Sequence, residues 1–239
     1  AEIELLLDVP SLLADDLKRG VIDVGLIPII EYFRLNAPGY RIIPHVSIAS
    51  RGAVQSIQLF SRVPISDIRR VALDTSSRTS RALVQIVLAE KYQLQPEFTS
   101  CPSSIEPQSV DADAVLLIGD AALKRLGSTD YALDLGAEWD ALTGLPFVYA
   151  CWVARGEVDL RNVTQTLQLA KELGITQIPD IARLEAPKLG FPEDFCRTYL
   201  THHIFYDLGD SEIAGLMKFY ELAVKYRLAK PDIPLRFVK

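Results

Sequence analysis

An apolar run, Val71 to Leu73, stops at Asp74. Five hydroxyl residues and one arginine follow within six positions: Thr75, Ser76, Ser77, Arg78, Thr79 and Ser80. Beyond them Ala82, Leu83, Ile86, Val87 and Ala89 recur at the spacing of an amphipathic helix. The hydroxyls and the unpaired N–H groups of a first turn then gather at the positive end of the helix dipole. Such an arrangement holds a carboxylate or phosphate without a metal. A serine N-cap on an ordinary strand-to-helix turn accounts for part of this composition, but five hydroxyls with Arg78 exceed what capping one helix requires. The segment predicts a site for a small anion.

A second informative stretch is Arg51 to Gln58. Gly52 permits a tight turn, and alternation beyond it predicts Val54, Ser56 and Gln58 on one face of a strand. A hydroxyl in an otherwise apolar strand requires a hydrogen-bond partner, which for Ser56 is either local backbone or a ligand. Asp120 follows Ile118 and Gly119 at a strand end, where it faces a cleft or caps the next helix. Thr143 to Phe147 reads as a rigid turn, suited to a hinge or to a cleft wall.

Other chemistry-bearing residues are sparse. His45 sits in a strand-like run and His202–His203 near the end of an apolar helix, places where lone histidines are more often packed or surface groups. There is no His-Glu-x-x-His, no Gly-x-Ser-x-Gly and no Walker loop. Cys101, Cys151 and Cys196 are odd in number and widely spaced, which predicts reduced thiols of a cytoplasmic protein and no metal or redox centre.

The elements that must position these residues alternate between strand and helix. Strands are predicted over residues 2–8, 23–27, 42–49, 54–60, 70–73, 97–101, 114–118 and 145–153. Helices are predicted over 11–19 and 79–91, and from about residue 159 onward. The stretch from Lys18 to Pro28 echoes Ser109 to Gly119: in each an aspartate precedes a short buried strand that ends in a turn residue. Two related α/β units imply two lobes, with chain crossings near Phe60 and Phe147. Lobe one is then residues 1–60 with 148–239, lobe two residues 61–147, and a ligand cleft lies between them.

The 239 residues suffice for such a fold, and a net charge of −6 argues against nucleic acid or an anionic membrane as partner. The longest apolar run, Leu145 to Ala154, is about half a membrane span and contains Pro146. The chain starts at Ala1 and its only methionine is Met217, so residues upstream of Ala1 are expected.

Seven segments together resemble one known family: Asp8–Ser11, Asp23–Pro28, Ser47–Gly52, Leu59–Ser61, Ser77–Ser80, Leu117–Asp120 and Thr143–Phe147. They are similar in kind, order and spacing to the chorismate dehydratases of the futalosine route to menaquinone. The resemblance implies an α/β, two-lobed fold of the type 2 periplasmic-binding-protein kind with a helical C-terminal third. It implies a cytoplasmic bacterial lyase that converts dianionic chorismate to 3-[(1-carboxyvinyl)oxy]benzoate and water without a cofactor. In that family the substrate's own enolpyruvyl carboxylate removes the ring proton, so the protein needs to orient a dianion and exclude water. Carried over, Ser56 contacts substrate, Ser77, Arg78, Thr79 and Ser80 hold a carboxylate, and Gly119 and Asp120 line the cleft. The family's pattern opens with a strand ending in a leucine–asparagine pair that contacts substrate. No such segment precedes Ala1; were residues 1–239 the whole molecule, lobe one would be expected to lack its first strand and the protein to have weak or absent activity. The competing reading is a binding or sensor protein that closes on a small carboxylate without changing it. A sister enzyme acting on a nucleoside-derived futalosine needs a histidine in the second lobe, and residues 61–147 contain none.

Overall fold

Two sheets organise the chain in a computed structural model that describes residues 3–35, 39–102, 109–156, 158–160 and 162–238. The first sheet has three antiparallel strands, β1 (Val24–Pro28), β8 (Phe147–Ala154) and β2 (Arg41–Ser50), in that order. The second has five, ordered β5 (Glu97–Cys101), β4 (Arg70–Asp74), β6 (Ala114–Ile118), β3 (Ile57–Ser61) and β7 (Tyr131–Asp134). β4 runs parallel to β5 and β6, while β3 runs antiparallel to β6 and β7. The echoed strands β1 and β6 thus fall in different sheets. Each passes straight into a helix, α2 (Ile29–Arg34) and α4 (Gly119–Leu123).

The chain leaves the first sheet after Ser50 and enters the second at Ile57. Phe60, where the sequence placed the outward crossing, is inside β3 and pairs with Val115 and Ala132. The return runs through α5 (Leu135–Thr143) and a turn at 144–146 into β8. Gly144 ends α5 in the left-handed region at φ +68°, and Trp139 Nε1 donates to the Pro146 carbonyl at 3.2 Å.

Helix boundaries follow their end chemistry. α1 (Pro10–Arg19) starts on a proline and stops at Gly20 (φ +76°), whose N–H meets the Asp16 and Leu17 carbonyls. Its Leu13, Ala14 and Leu17 are buried. α3 (Arg78–Glu90) buries Ala82, Leu83, Ile86 and Val87 as its periodicity requires. The final third is helical: α6 (Val163–Thr176), α7 (Ile178–Leu189), α8 (Glu193–Thr198), a π-helical turn Tyr199–His203 and α9 (Asp210–Lys225). No helix of the described residues is long and apolar enough to cross a membrane.

The main core spans both sheets. At its centre Trp139, Phe147 and Phe219 pack edge to face, with ring centroids 5.0–6.3 Å apart. Truncating the fully buried Trp139 would cost about 3–5 kcal/mol. α9 presses on the return turn so closely that a Cβ on Gly215 would lie 1.9 Å from the Pro146 oxygen. A side chain there would lever the helix off the turn.

Two expected strands need correction. The described residues 3–9 form no strand: they make no ladder, and Ile3, Leu5, Leu6 and Leu7 are exposed. Apolar composition alone does not make a strand without an edge to pair with. The strand expected over 54–60 begins only at Ile57, because Gln55 takes up φ +61°. Ser56 therefore precedes β3 and does not alternate with Val54 and Gln58 along it.

Candidate functional site

The turn between β4 and α3 keeps most of its hydroxyls for itself. Ser77 is the N-cap; its Oγ accepts the Ser80 amide at 3.4 Å and donates to Ser80 Oγ at 2.7 Å. The Ser76 hydroxyl and amide both donate to Asp74 Oδ1, at 2.6 and 2.7 Å. Asp74 Oδ2 is buried with no hydrogen-bond partner among the described residues. Buried Thr79 donates its hydroxyl to the Tyr149 carbonyl at 3.0 Å and accepts the Ile30 amide at 3.4 Å. These bonds dock the start of α3 on β8 and α2. The Arg78 and Thr79 amides face no acceptor among the described residues, which leaves the first turn its backbone donors.

Arg78 is turned elsewhere. Its guanidinium grips Asp15 with two bonds of 3.0 and 2.7 Å and reaches Glu31 at 3.2 Å, tying α3 to α1 and α2. The hydrogen bond from Arg78 holds the Asp15 carboxyl below its ordinary range. With two carboxylates already on it, the Arg78 side chain in this arrangement supplies an ion-pair network and not the charge expected to face an anion.

The outward crossing is built around Asp134. Its carboxylate caps α5 by accepting the Gly136 and Ala137 amides at 3.0 Å. It also accepts Val54 N at 3.0 Å, Gln55 N at 2.6 Å and Gln58 Nε2 at 2.7 Å. Five donors on one carboxylate explain why Gln55 bends into the left-handed region. The bend leaves Ser56 buried, with its carbonyl accepting the Gly119 amide at 2.7 Å. Ser56 Oγ accepts the Tyr199 phenol at 2.8 Å. Gly119 sits at φ +60° with open space where a side chain would project, and Asp120 is exposed in the first turn of α4. Nearby, Ser50 and Tyr149 hydroxyls are 3.0 Å apart, and burial raises the Tyr149 phenol far above its ordinary range, so it stays neutral.

Of the predicted residues the structure joins Ser56 to Gly119, and Ser77 to Ser80. It places Thr79 on Tyr149, Asp120 beside the Ser56 turn, and Arg78 on Asp15 and Glu31. Sequence reasoning missed Tyr199, Tyr149 and Asp134, which no local motif marks; Tyr199 lies 143 positions from Ser56. Two concavities are lined by other residues, the second adjoining the Tyr199 turn at Leu200 and Tyr206. One of about 420 Å³ is lined by Arg41, Asn162 and Gln168; an apolar one of about 270 Å³ is lined by Trp152, Ile178 and Leu200. Neither contains a predicted site residue. Chemically, besides the Asp74, Asp120 and Asp134 carboxylates, these groups are neutral donors: serine and tyrosine hydroxyls and helix-end amides. They suit recognition of carboxylate and hydroxyl oxygens. The described residues form no His, Cys, Asp and Glu cluster able to hold a metal ion.

The sheet orders, the double crossing and the polar groups between the sheets define an α/β, two-lobed protein with a periplasmic-binding-protein-like fold. The fold is similar to the crystal structure of a protein from Archaeoglobus fulgidus, with a TM-score of 0.73 and 20% identity over 94% of this chain and 86% of that one. It is also similar to the periplasmic aliphatic sulphonate binding protein of Escherichia coli, with a TM-score of 0.63 and 19% identity over 96% of this chain and 79% of that one. In sequence the chain is 32% identical to the chorismate dehydratase of Thermus thermophilus over 219 residues, 83% of this chain and 79% of that protein. Residues 1–225 match the menaquinone biosynthesis family, and the protein belongs to that family.

Proposed function

We propose that the protein is a chorismate dehydratase of menaquinone biosynthesis, converting chorismate to 3-[(1-carboxyvinyl)oxy]benzoate and water. The observation that carries this reading is kinship with the Thermus thermophilus enzyme over 83% of the chain, within a family matched over residues 1–225. The reaction breaks one ring C–H bond and the C–O bond of the ring hydroxyl. The C–H electron pair completes the aromatic ring, the ring proton passes to the substrate's own enolpyruvyl carboxylate, and that proton is handed on to the departing hydroxyl, which leaves as water. Aromatisation supplies the driving force, so the protein's tasks are orientation and water exclusion.

Ser56 contacts the substrate through its hydroxyl, set beside the open face of Gly119. The amides at Arg78 and Thr79, with the Ser77–Ser80 hydroxyl pair beside them, hold a carboxylate at the positive end of α3. Asp120 borders the same opening on α4. The reaction uses no metal or organic cofactor, and the buried, unpaired thiols of Cys101, Cys151 and Cys196 suit a reducing cytoplasm. Incubating the full-length protein with chorismate and following products by mass tests this reading: the aromatic ether should accumulate as chorismate disappears. Chorismate that binds and is recovered unchanged would favour a binding protein, the role shared by sulphonate-binding relatives in fold.

A further inference from the structure

We propose that Tyr199 is the positioning residue of Ser56: it donates to Ser56 Oγ and so reserves the serine's own proton for the substrate. This rests on the reading that Ser56 contacts chorismate. A serine hydroxyl has one proton and two lone pairs, and its hydrogen rotates to whichever acceptor is nearest. The Tyr199 phenol, 2.8 Å away, occupies one lone pair as donor. Burial raises the Tyr199 phenol above its ordinary range, so it stays protonated and stays the donor. Ser56 Oγ then keeps its own proton and one lone pair, and donation from the phenol polarises it into a stronger donor.

The backbone around Tyr199 supports this role. Tyr199–His203 is a π-helical turn closed by Ile204 N–H on the Tyr199 carbonyl at 3.2 Å, a geometry that is uncommon and concentrates at functional sites. At its far end His203 stacks on the Tyr199 ring, and its Nδ1–H donates to the Ala53 carbonyl at 2.8 Å. Tyr206 closes the same turn, its phenol donating to the Leu200 carbonyl at 3.1 Å. The π turn is therefore attached to the crossing at two points, Ala53 and Ser56. The expanded turn costs helix regularity and places a phenol on the one buried serine of the crossing.

The test is a double-mutant cycle on the full-length protein with chorismate, using the parent, Ser56→Ala, Tyr199→Phe and the double variant. Phenylalanine keeps the ring and its packing, so thermal melting should confirm that each variant is folded. Tyr199→Phe should lower kcat about tenfold with KM nearly unchanged, the loss expected for one positioned hydrogen bond. In the Ser56→Ala background the same change should lower kcat no further. An active parent whose kcat survives Tyr199→Phe, or additive losses in the double variant, would overturn the role assigned to Tyr199 and leave the dehydratase reading intact. A parent that leaves chorismate unchanged would overturn both.

Discussion

The Asp134 carboxylate lies 2.6 Å from the Gln55 amide, and that contact holds the chain in a left-handed bend one residue before Ser56. The same carboxylate caps α5 and takes the side chain of Gln58, so a single group couples the crossing, the helix and β3. Bends of this kind persist where the surroundings over-determine them. Asp134 does so with five hydrogen bonds.

Asp134→Ala should therefore lower stability by about 2–3 kcal/mol, combining a lost cap with lost bonds to a charged acceptor. Asp134→Asn keeps one oxygen and should lose less. Urea denaturation gives both values. Turnover should fall in Asp134→Ala under conditions where the protein is fully folded, since Gln55 relaxes and Ser56 moves with it. Full activity in that variant would show that the bend does not place Ser56.

Thr79 separates side-chain from backbone contributions at the start of α3. Its hydroxyl bonds the Tyr149 carbonyl and serves the docking of the helix. Thr79→Val should lower stability by about 1–2 kcal/mol, leaving that buried carbonyl unpaired, with little effect on carboxylate binding. Thr79→Pro deletes an amide that the proposed site uses, at a position where proline is tolerated. It should weaken binding of the aromatic product by about 1–3 kcal/mol in calorimetry. Equal product affinity in both variants and the parent would mean that the turn only caps its helix.

The Asp15–Arg78 pair predicts a pH dependence with a defined sign. Asp15 has its carboxyl lowered by Arg78, so the pair contributes stability above the ordinary carboxylate range, lost as pH falls through the lowered value. Asp15 is substantially exposed, so the contribution is modest, about 0.5–1 kcal/mol at neutral pH. Asp15→Asn should be less stable than the parent by that amount at pH 7, and the gap should close as pH falls through the lowered carboxyl range. A gap that widens on acidification would contradict the pairing.

Cofactor independence has its own check. Dialysis of the full-length protein against a strong chelator should leave chorismate turnover unchanged. Loss of activity that zinc or magnesium restores would reveal a metal site.

Local chemistry made part of this molecule legible. The end of α1 at Gly20, the amphipathic stripe of α3, β4 to β6 and the helical final third all follow from periodicity and caps within a few residues. The seven family-like segments carried the fold, because their order reflects the order of the sheets. What stayed hidden depends on distant partners. Ser56 read as a strand residue because alternation cannot show that Asp134, nearly eighty positions away, would bend Gln55. Arg78 read as an anion ligand because nothing near it in sequence reveals Asp15 and Glu31. Tyr199 carries no motif at all, and its partner at the crossing is 143 positions away. Residues 3–9 show the converse error, apolar alternation without a pairing edge.

The most direct test of the account is a time course of chorismate conversion by the full-length protein and its Ser56→Ala variant, with substrate and product quantified by mass. The account predicts that the aromatic ether forms one for one as chorismate is consumed, and that Ser56→Ala slows it by about 10- to 1,000-fold, the range for losing one positioned donor. The variant should remain folded at the assay temperature, melting somewhat below the parent because the buried Tyr199 phenol loses its acceptor. Chorismate left unconsumed by the parent, or a folded Ser56→Ala protein that matches the parent's rate, would contradict it.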